Sequence, residues 1–152
     1  IRTVEFSPDG SKLASAGDDK KIKIWNTNTW SLLKTLTGHN NDVESVSWNS
    51  NNTKLASGSV DNTIKIWDIN EGKTIKTLNN HNDSVYAISW SPDNSKLASG
   101  GNDNKVIIYN TYDWSVITTL NNHNDNINSL DWNSKSNKLI SGDESGTINV
   151  WE

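Results

Sequence analysis

The sequence lacks cysteine and methionine, and none of its 152 residues form a long apolar run. Without cysteine there are no disulfide frameworks, no thiol catalysis and no cysteine-ligated zinc. No apolar stretch of about 18 residues could span a membrane, and the start does not resemble a signal peptide. The 14 lysines and arginines are scattered, whereas nucleic-acid binding needs a basic cluster. We therefore expect a soluble intracellular protein that binds neither membranes nor nucleic acids. The sequence does not indicate its cellular compartment.

Tryptophan is abundant in this chain. Hydrophobic residues make up only 32% of the sequence, a low value that taken alone is typical of disordered segments. Disordered segments are poor in aromatic residues, however, and this chain has eight tryptophans. The composition therefore indicates a folded protein with a thin core.

Four copies of one unit make up the chain. The aromatic residue that closes an apolar run recurs every 42 residues, at Trp25, Trp67, Tyr109 and Trp151. Within a unit, short segments alternate between apolar and polar residues and are separated by turn residues, as in Val43–Trp48 and Thr63–Trp67. No segment has the 3.6-residue period of a helix. The pattern predicts an all-β fold with four short strands in each complete unit.

The unit resembles the repeat of the WD-repeat β-propeller family. Gly38-His39 precedes the first strand of the second unit, and Trp67-Asp68 closes its third strand. The other units carry degenerate versions such as Asn80-His81 and Tyr109-Asn110. The resemblance implies one propeller segment over residues 1–152, with blades at about 1–36, 37–78, 79–120 and 121–152. The first three blades are expected to have four strands and the last to have three.

The resemblance also implies that rings of this family usually close with seven or eight blades. Four blades then form about half a ring and expose two apolar blade faces. Two half-rings related by a two-fold axis would close an eight-bladed homodimer. The alternative is that the chain is part of one longer propeller, which the missing initiator methionine favours for the native gene.

Serine, histidine and aspartate recur in the units and superficially suggest a catalytic triad. A catalytic site is not usually repeated once per blade, and the family resemblance instead implies a hydrogen-bonded structural tetrad. In it, Asp accepts from the imidazole, His bonds the Ser hydroxyl, and Ser accepts from the indole N–H. The expected members are His39, Ser57, Asp61 and Trp67; His81, Ser99, Asp103 and Tyr109; His123, Ser141 and Trp151; and Ser15, Asp19 and Trp25.

The four sets differ in completeness. The first unit has no histidine within the chain. In the third unit, Tyr109 replaces tryptophan and is expected to donate through its hydroxyl instead. In the fourth unit, Ser145 stands where the aspartate is expected, just after Asp143 and Glu144. Blade four should therefore lack its acid and be the weakest blade.

Neither metal binding nor catalysis is indicated. The three histidines lie one per blade and cannot converge on a zinc ion, and the Asp- and Asn-rich turns lack the closing Glu of a calcium loop. We expect no catalytic residues, no metal and no cofactor. Trp48, Trp90 and Trp132, together with Phe6, should pack between blades. Trp30 and Trp114 lie in polar turns and either stack a ligand or cover a blade edge.

The family resemblance implies a non-catalytic scaffold that binds peptides or proteins on the face made by the loops. Tyr86 is the best single anchor, because tyrosine is enriched among residues that dominate binding energy. Four carboxylates and one arginine on this face favour a basic or neutral polar partner. The candidates are Arg2, Asp18, Asp42, Glu44, Val60, Ser84, Tyr86, Asn102, Asn126, Asn128 and Glu144.

Two other functions are compatible with the pattern. A half-propeller self-assembly module would use its two unpaired ends as a homodimer interface. A carbohydrate-binding propeller would need a similar pocket in every blade, and the loop residues differ from blade to blade.

Overall fold

A computed structural model describes residues 1–152 and contains fifteen β-strands and no helix. The strands form three four-stranded sheets and one three-stranded sheet, and within each sheet they pair in sequence order. This arrangement confirms the predicted all-β propeller blades. No helix long and apolar enough to cross a membrane is present.

The strand bounds follow the repeat. Blade 1 comprises β1 (Thr3–Phe6), β2 (Lys12–Ala16), β3 (Lys21–Asn26) and β4 (Leu32–Thr37). Blade 2 comprises β5 (Val43–Trp48), β6 (Lys54–Ser59), β7 (Ile64–Asp68) and β8 (Lys73–Leu78). Blade 3 comprises β9 (Val85–Trp90), β10 (Lys96–Gly101), β11 (Val106–Asn110) and β12 (Val116–Leu120). Blade 4 comprises β13 (Ile127–Trp132), β14 (Leu139–Asp143) and β15 (Ile148–Trp151).

Local chemistry explains why these segments form hairpins. In β7, Ile64 and Ile66 are buried while Lys65 between them is half-buried, as the period of two requires. The turn between β1 and β2 is closed by a hydrogen bond of 2.7 Å from the Gly10 N–H to the Ser7 carbonyl. Gly10 has a φ of +70°, which a glycine adopts without steric cost.

The hydrophobic core lies in three seams between successive blades. Each seam packs the second, third and fourth strands of one blade against the first strand and aromatic residues of the next. Seam 1–2 contains Ala14, Ile22, Ile24, Leu36, Val46, Trp48 and Trp67. Seam 2–3 contains Ala56, Ile64, Ile66, Leu78, Ile88, Trp90 and Tyr109. Seam 3–4 contains Ala98, Val106, Ile108, Ile127, Trp132 and Leu139.

The two outer faces of the arc carry apolar side chains at the same register positions. On the leading face of blade 1, Val4 and Phe6 are exposed, and Phe6 is 56% exposed where its counterpart Trp48 is 4% exposed. On the trailing face of blade 4, Ile140, Ile148 and Val150 are exposed. Phe6, which was expected to pack between blades, is exposed in the single chain because no blade lies against β1.

Glu5 links blade 1 to blade 2 within seam 1–2. Its carboxylate accepts the Trp48 backbone N–H at 3.0 Å, and its carbonyl accepts the Trp48 indole N–H at 3.2 Å. The first strands of later blades are joined in the same way, for example by Ser47 Oγ accepting the Trp90 N–H at 3.1 Å. Burial raises the pKa of Glu5 to about 7, although the Trp48 N–H opposes this shift. Only in blade 1 is this linkage ionisable.

Ionisation of Glu5 should make seam 1–2 weaker at alkaline pH. A carboxyl with a folded pKa near 7 and an unfolded pKa of about 4.3 contributes stability below about pH 4.3, and that contribution is lost as the pH rises through 7. Glu5→Gln keeps an acceptor for Trp48 but cannot ionise. At pH 8 we expect the free energy of unfolding of Glu5→Gln to exceed that of the wild type by on the order of 1–2 kcal/mol, with a higher urea midpoint. At pH 4 the two proteins should have similar urea midpoints. Glu71→Gln, at an exposed carboxylate, is the control, and equal stability of wild type and Glu5→Gln at pH 8 would contradict this account of Glu5.

Candidate functional site

In blade 2, the four polar residues of the repeat form a continuous hydrogen-bonded chain. His39 Nδ1 lies 2.9 Å from Asp61 Oδ2, and His39 Nε2 lies 2.7 Å from Ser57 Oγ. The Trp67 indole N–H donates to the same Ser57 oxygen at 2.8 Å. With Nδ1 donating to the carboxylate, Nε2 accepts from the Ser57 hydroxyl. The chain ties β6 and β7 to the loop that precedes β5.

The hydrogen bonds and burial of this tetrad set the protonation states of Asp61 and His39. Burial opposes ionisation of Asp61, but hydrogen bonds from Thr63, the Asn40 N–H and His39 outweigh it and hold the pKa of the carboxyl at about 2. Burial lowers the pKa of His39, while Asp61 acts in the opposite direction. Asp61 is therefore ionised and His39 neutral at pH 7. Because Ser57 is fully buried and its oxygen is already engaged by two partners, a substrate has no access to it as a nucleophile.

Blade 3 contains the same set with one break. His81 contacts Asp103 at 2.9 Å and Ser99 at 2.7 Å. The Tyr109 hydroxyl is buried and has no hydrogen-bond partner. The expectation that Tyr109 donates in place of the indole was therefore wrong. A phenol places its polar atom elsewhere than an indole does, although the Tyr109 ring packs in seam 2–3 just as Trp67 packs in seam 1–2.

Blade 4 has an acid after all. His123 Nδ1 lies 2.7 Å from Asp143 Oδ2, His123 Nε2 lies 2.6 Å from Ser141 Oγ, and the Trp151 indole N–H donates to Ser141 at 2.8 Å. The prediction that this blade lacks its acid was wrong, because Asp143 reaches the imidazole from two positions earlier in the repeat. Ser145, at the usual acid position, donates to Asp143 Oδ1 at 2.6 Å. The sequence offered one sign of this contact, since blade 4 has an acid, Asp143, at the position where blade 2 has Ser59.

Blade 1 retains only part of the set. The Trp25 indole N–H donates to Ser15 Oγ at 2.9 Å. Asp19 has no histidine to contact and instead accepts from Lys23 Nζ at 3.1 Å on the protein surface. Blade 1 is therefore the blade whose polar chain is shortest.

On the loop face, residues from three blades line one recess. Glu44, Tyr86 and Asn128 occupy the same register position in β5, β9 and β13, and Glu144 follows β14. Together these four residues, which we call the loop-face recess, line a concavity of about 290 Å³. The Asn128 amide donates to Glu144 at 3.2 Å, and the Asn126 amide donates to the same carboxylate at 3.1 Å.

Arg2 and Asp18 lie beside this recess on blade 1. Arg2 Nε donates to Asp18 Oδ1 at 2.5 Å but lies 3.9 Å from Glu44 Oε1. The hydrogen bond from Arg2 lowers the pKa of Asp18. The guanidinium is thus engaged chiefly by Asp18, and Glu44 keeps oxygen atoms available to another cation.

The remaining candidates on this face have structural contacts of their own. Ser84 is buried, and its carbonyl accepts the Asn102 N–H at 2.9 Å. Its selection as a partner-binding residue was wrong, because nothing on the surface can reach its side chain. The carbonyl of Asp42 accepts the Val60 N–H at 3.0 Å, and both residues are partly buried. The Asn102 amide donates to Asp83 at 2.9 Å.

The two turn tryptophans differ in surroundings. Trp114 packs against seam 2–3 and meets Trp90 edge to face, with ring centroids 5.9 Å apart. Trp30 occupies the same register in blade 1 and is 61% exposed. Both have a positive φ, at the register where blade 2 has Gly72. Trp114 therefore covers a blade edge, and Trp30 would do so only against a further blade.

Comparison with known proteins identifies the repeat. The family model described as WD domain, G-beta repeat matches residues 1–26 and 30–68. The model described as IFT140 first beta-propeller matches residues 70–152. This chain belongs to the WD-repeat family of β-propellers, whose members are generally non-catalytic scaffolds for protein interactions.

Individual relatives match parts of the chain. Periodic tryptophan protein 2 homolog of Caenorhabditis elegans is 42% identical over 48 residues, which are 32% of this chain and 5% of that protein. WD repeat domain-containing protein 83 of Xenopus laevis is 44% identical over 43 residues, which are 28% of this chain and 14% of that protein. A solved structure, titled Structure of U3-55K, matches with a TM-score of 0.92 at 25% identity over 99% of this chain. The chain spans 48% of that solved chain and at most 14% of these two curated relatives.

Proposed function

We propose that this chain is a scaffold whose loop-face recess receives a basic side chain from a partner protein. The observation that carries the proposal is the recess itself, where Glu44 and Glu144 line a concavity of about 290 Å³ together with Tyr86 and Asn128. A volume of this size accommodates one long side chain. The family's general role as a protein-interaction scaffold supports a protein as the occupant.

The chemistry of the recess favours a cation. Two carboxylates can each accept charge-assisted hydrogen bonds, and the face of a tyrosine ring attracts an ammonium or guanidinium group. Arg2 donates to Asp18 at 2.5 Å and lies 3.9 Å from Glu44, so this single cation offsets only part of the charge of the two glutamates. A basic residue of the partner would thus lie between Glu44 and Glu144, over Tyr86.

A matched pair of peptides tests this proposal. The capped peptides Ala-Ala-Arg-Ala-Ala and Ala-Ala-citrulline-Ala-Ala have nearly the same shape but differ in charge. We expect the arginine peptide to bind at least about tenfold more tightly in a fluorescence anisotropy titration, since charged hydrogen bonds are about twice as strong as neutral ones. Glu44→Gln combined with Glu144→Gln should abolish that preference, and Tyr86→Ala should weaken binding of the arginine peptide by a further factor of about ten.

Asp113→Asn removes an exposed carboxylate remote from the recess and serves as the control. It should leave the preference for arginine intact. Equal affinity for the two peptides would contradict the proposal, and so would a preference that survives loss of both glutamates.

A second function, self-assembly into a closed ring, is favoured by the uncovered blade faces. The leading face of blade 1 and the trailing face of blade 4 expose apolar residues at the register positions that are buried in the three seams. A covered seam joins the trailing face of one blade to the leading face of the next, so these two open faces could pack against each other. A second copy related by a two-fold axis would cover both ends at once.

Light scattering across a tenfold dilution tests this second function. We expect a species near twice the 16.9 kDa chain mass that persists on dilution. A monomer at all concentrations, or aggregates of indefinite size, would contradict ring closure by two copies.

A further inference from the structure

The loop face repeats one pair of positions in every blade. The first position lies at the start of the first strand and is held, at intervals of 42 residues, by Arg2, Glu44, Tyr86 and Asn128. The second position follows the second strand and is held, at the same interval, by Asp18, Val60, Asn102 and Glu144. In blades 2, 3 and 4 the backbone N–H of the second position donates to the carbonyl two residues before the first position, at 3.0, 2.9 and 3.0 Å. The pair is therefore placed alike in these three blades.

In blades 1 and 4 the acid of this pair already has donors within its own blade. Asp18 accepts Arg2 Nε at 2.5 Å, and its side chain is 61% exposed to water. Glu144 accepts the Asn128 amide on Oε1 at 3.2 Å and the Asn126 amide on Oε2 at 3.1 Å. Both oxygens of Glu144 are thus engaged before any partner arrives.

In blade 2 the acid of the pair, Glu44, has no such donor. Val60 holds the second position, and its side chain has no polar atom. The nearest cation is Arg2, whose Nε lies 3.9 Å from Glu44 Oε1, beyond hydrogen-bond distance. The Glu44 side chain is nevertheless only 19% exposed, so water has limited access to the carboxylate. A largely covered charge without hydrogen bonds is unfavourable, and Glu44 therefore gains more from an external donor than Glu144 does.

We propose that Glu44 is the residue that pairs with the partner's guanidinium, and that Val60 is a positioning residue that leaves its carboxylate free to do so. Glu144, which lines the same recess, serves as the acceptor for Asn126 and Asn128 rather than for the partner. This inference rests on the proposed function and assigns unequal roles to the two glutamates. The specificity for a basic side chain then comes from one carboxylate.

Single substitutions separate the two glutamates. The readout is the ratio of the dissociation constants of the capped citrulline and arginine peptides, measured by fluorescence anisotropy. Glu44→Gln should lower this ratio by at least about fivefold, because it removes the charged acceptor. Glu144→Gln should change the ratio by less than about twofold, because an exposed charge whose oxygens are engaged contributes little. Asp42→Asn removes a carboxylate two residues from Glu44 but outside the recess, and this control should also change the ratio by less than about twofold.

A second pair of variants tests the role of Val60. Val60→Asn gives blade 2 the amide that blade 3 has at Asn102, so a donor of the chain itself can engage Glu44. The ratio should then fall by at least about threefold, because the partner must displace a hydrogen bond already made. Val60→Leu has nearly the same branched shape as asparagine but no donor, and it should keep the ratio of the wild type. Val60 is only partly buried, and thermal unfolding checks that both variants are folded.

Equal losses in Glu44→Gln and Glu144→Gln would overturn the unequal roles and leave the proposed function intact. The role of Val60 is overturned if Val60→Asn keeps the ratio of the wild type, or if Val60→Leu loses it to the same extent as Val60→Asn. A loss in Asp42→Asn as large as that in Glu44→Gln would mean that general acidity, rather than contact with Glu44, selects the arginine peptide. Equal affinity of the wild type for the two peptides would overturn the proposed function and this inference with it.

Discussion

Asp61→Ala should lower the free energy of unfolding by about 3 kcal/mol at pH 7. The substitution removes an ionised acceptor of bonds from His39 Nδ1, the Asn40 N–H and Thr63, and it leaves the buried imidazole donor unpaired. Urea denaturation followed by tryptophan fluorescence measures the loss. The loss should shrink as the pH falls from about 4 to 2. The folded pKa of Asp61 is about 2, so acid protonates the unfolded carboxyl first and removes this contribution.

Asp19→Ala is the matched control, because Asp19 occupies the same register in blade 1 but contacts no histidine. Its effect should stay within about 0.5 kcal/mol, as is usual for surface substitutions. Asp143→Ala should be clearly destabilising, like Asp61→Ala, if Asp143 serves His123 as the structure shows. A neutral Asp143→Ala would contradict the placement of the acid in blade 4.

Gly100→Ala should destabilise the fold of a single chain by about 2 kcal/mol, whereas Gly142→Ala should be neutral or slightly stabilising to that fold. A Cβ on Gly100 would lie 2.5 Å from Ile127 Cγ2 across seam 3–4, so the packed core must shift. Gly142 occupies the same register in blade 4, and the nearest atom to its Cβ position is Ser129 Cβ at 4.0 Å. There the loss of unfolded-chain entropy favours alanine by about 0.5 kcal/mol.

Thermal and urea unfolding of the two variants measure the change in stability. The comparison reports on the packing between blades in a covered seam and at an open end. Equal destabilisation by both substitutions would contradict the packing of seam 3–4. The pair also bears on ring closure, since a second copy packed on blade 4 would make Gly142→Ala weaken the dimer while leaving the fold of one chain intact.

Much of the fold could be predicted from the sequence because the repeat is strict. An interval of 42 residues fixes the register of Trp25, Trp67, Tyr109 and Trp151, and the alternation within a unit fixes which side chains enter a seam. The four sheets and the missing outer strand of blade 4 followed from this register.

The polar contacts were less predictable, because they depend on reach as well as register. Asp143, the last residue of β14, lies two positions before the usual acid position, and its carboxylate still contacts the same imidazole nitrogen, Nδ1 of His123. Tyr109 occupies the expected position, but its hydroxyl finds no partner. Ser84 lies on a loop in sequence and yet is buried, because Gly101 allows the β10 backbone to approach it closely.

The sequence pattern placed Arg2 and Asp18 on the loop face, but it did not predict the hydrogen bond between them. Because Arg2 donates to Asp18, it lies 3.9 Å from Glu44 and makes no hydrogen bond with it.

The central claim is that a basic side chain docks between Glu44 and Glu144, and mapping of amide chemical shifts during titration with the Ala-Ala-Arg-Ala-Ala peptide tests it most directly. We predict that the largest shifts occur at Glu44, Tyr86, Asn128 and Glu144, the residues of the loop-face recess. Shifts confined to the blade ends or to β12, or spread evenly over the surface, would contradict it.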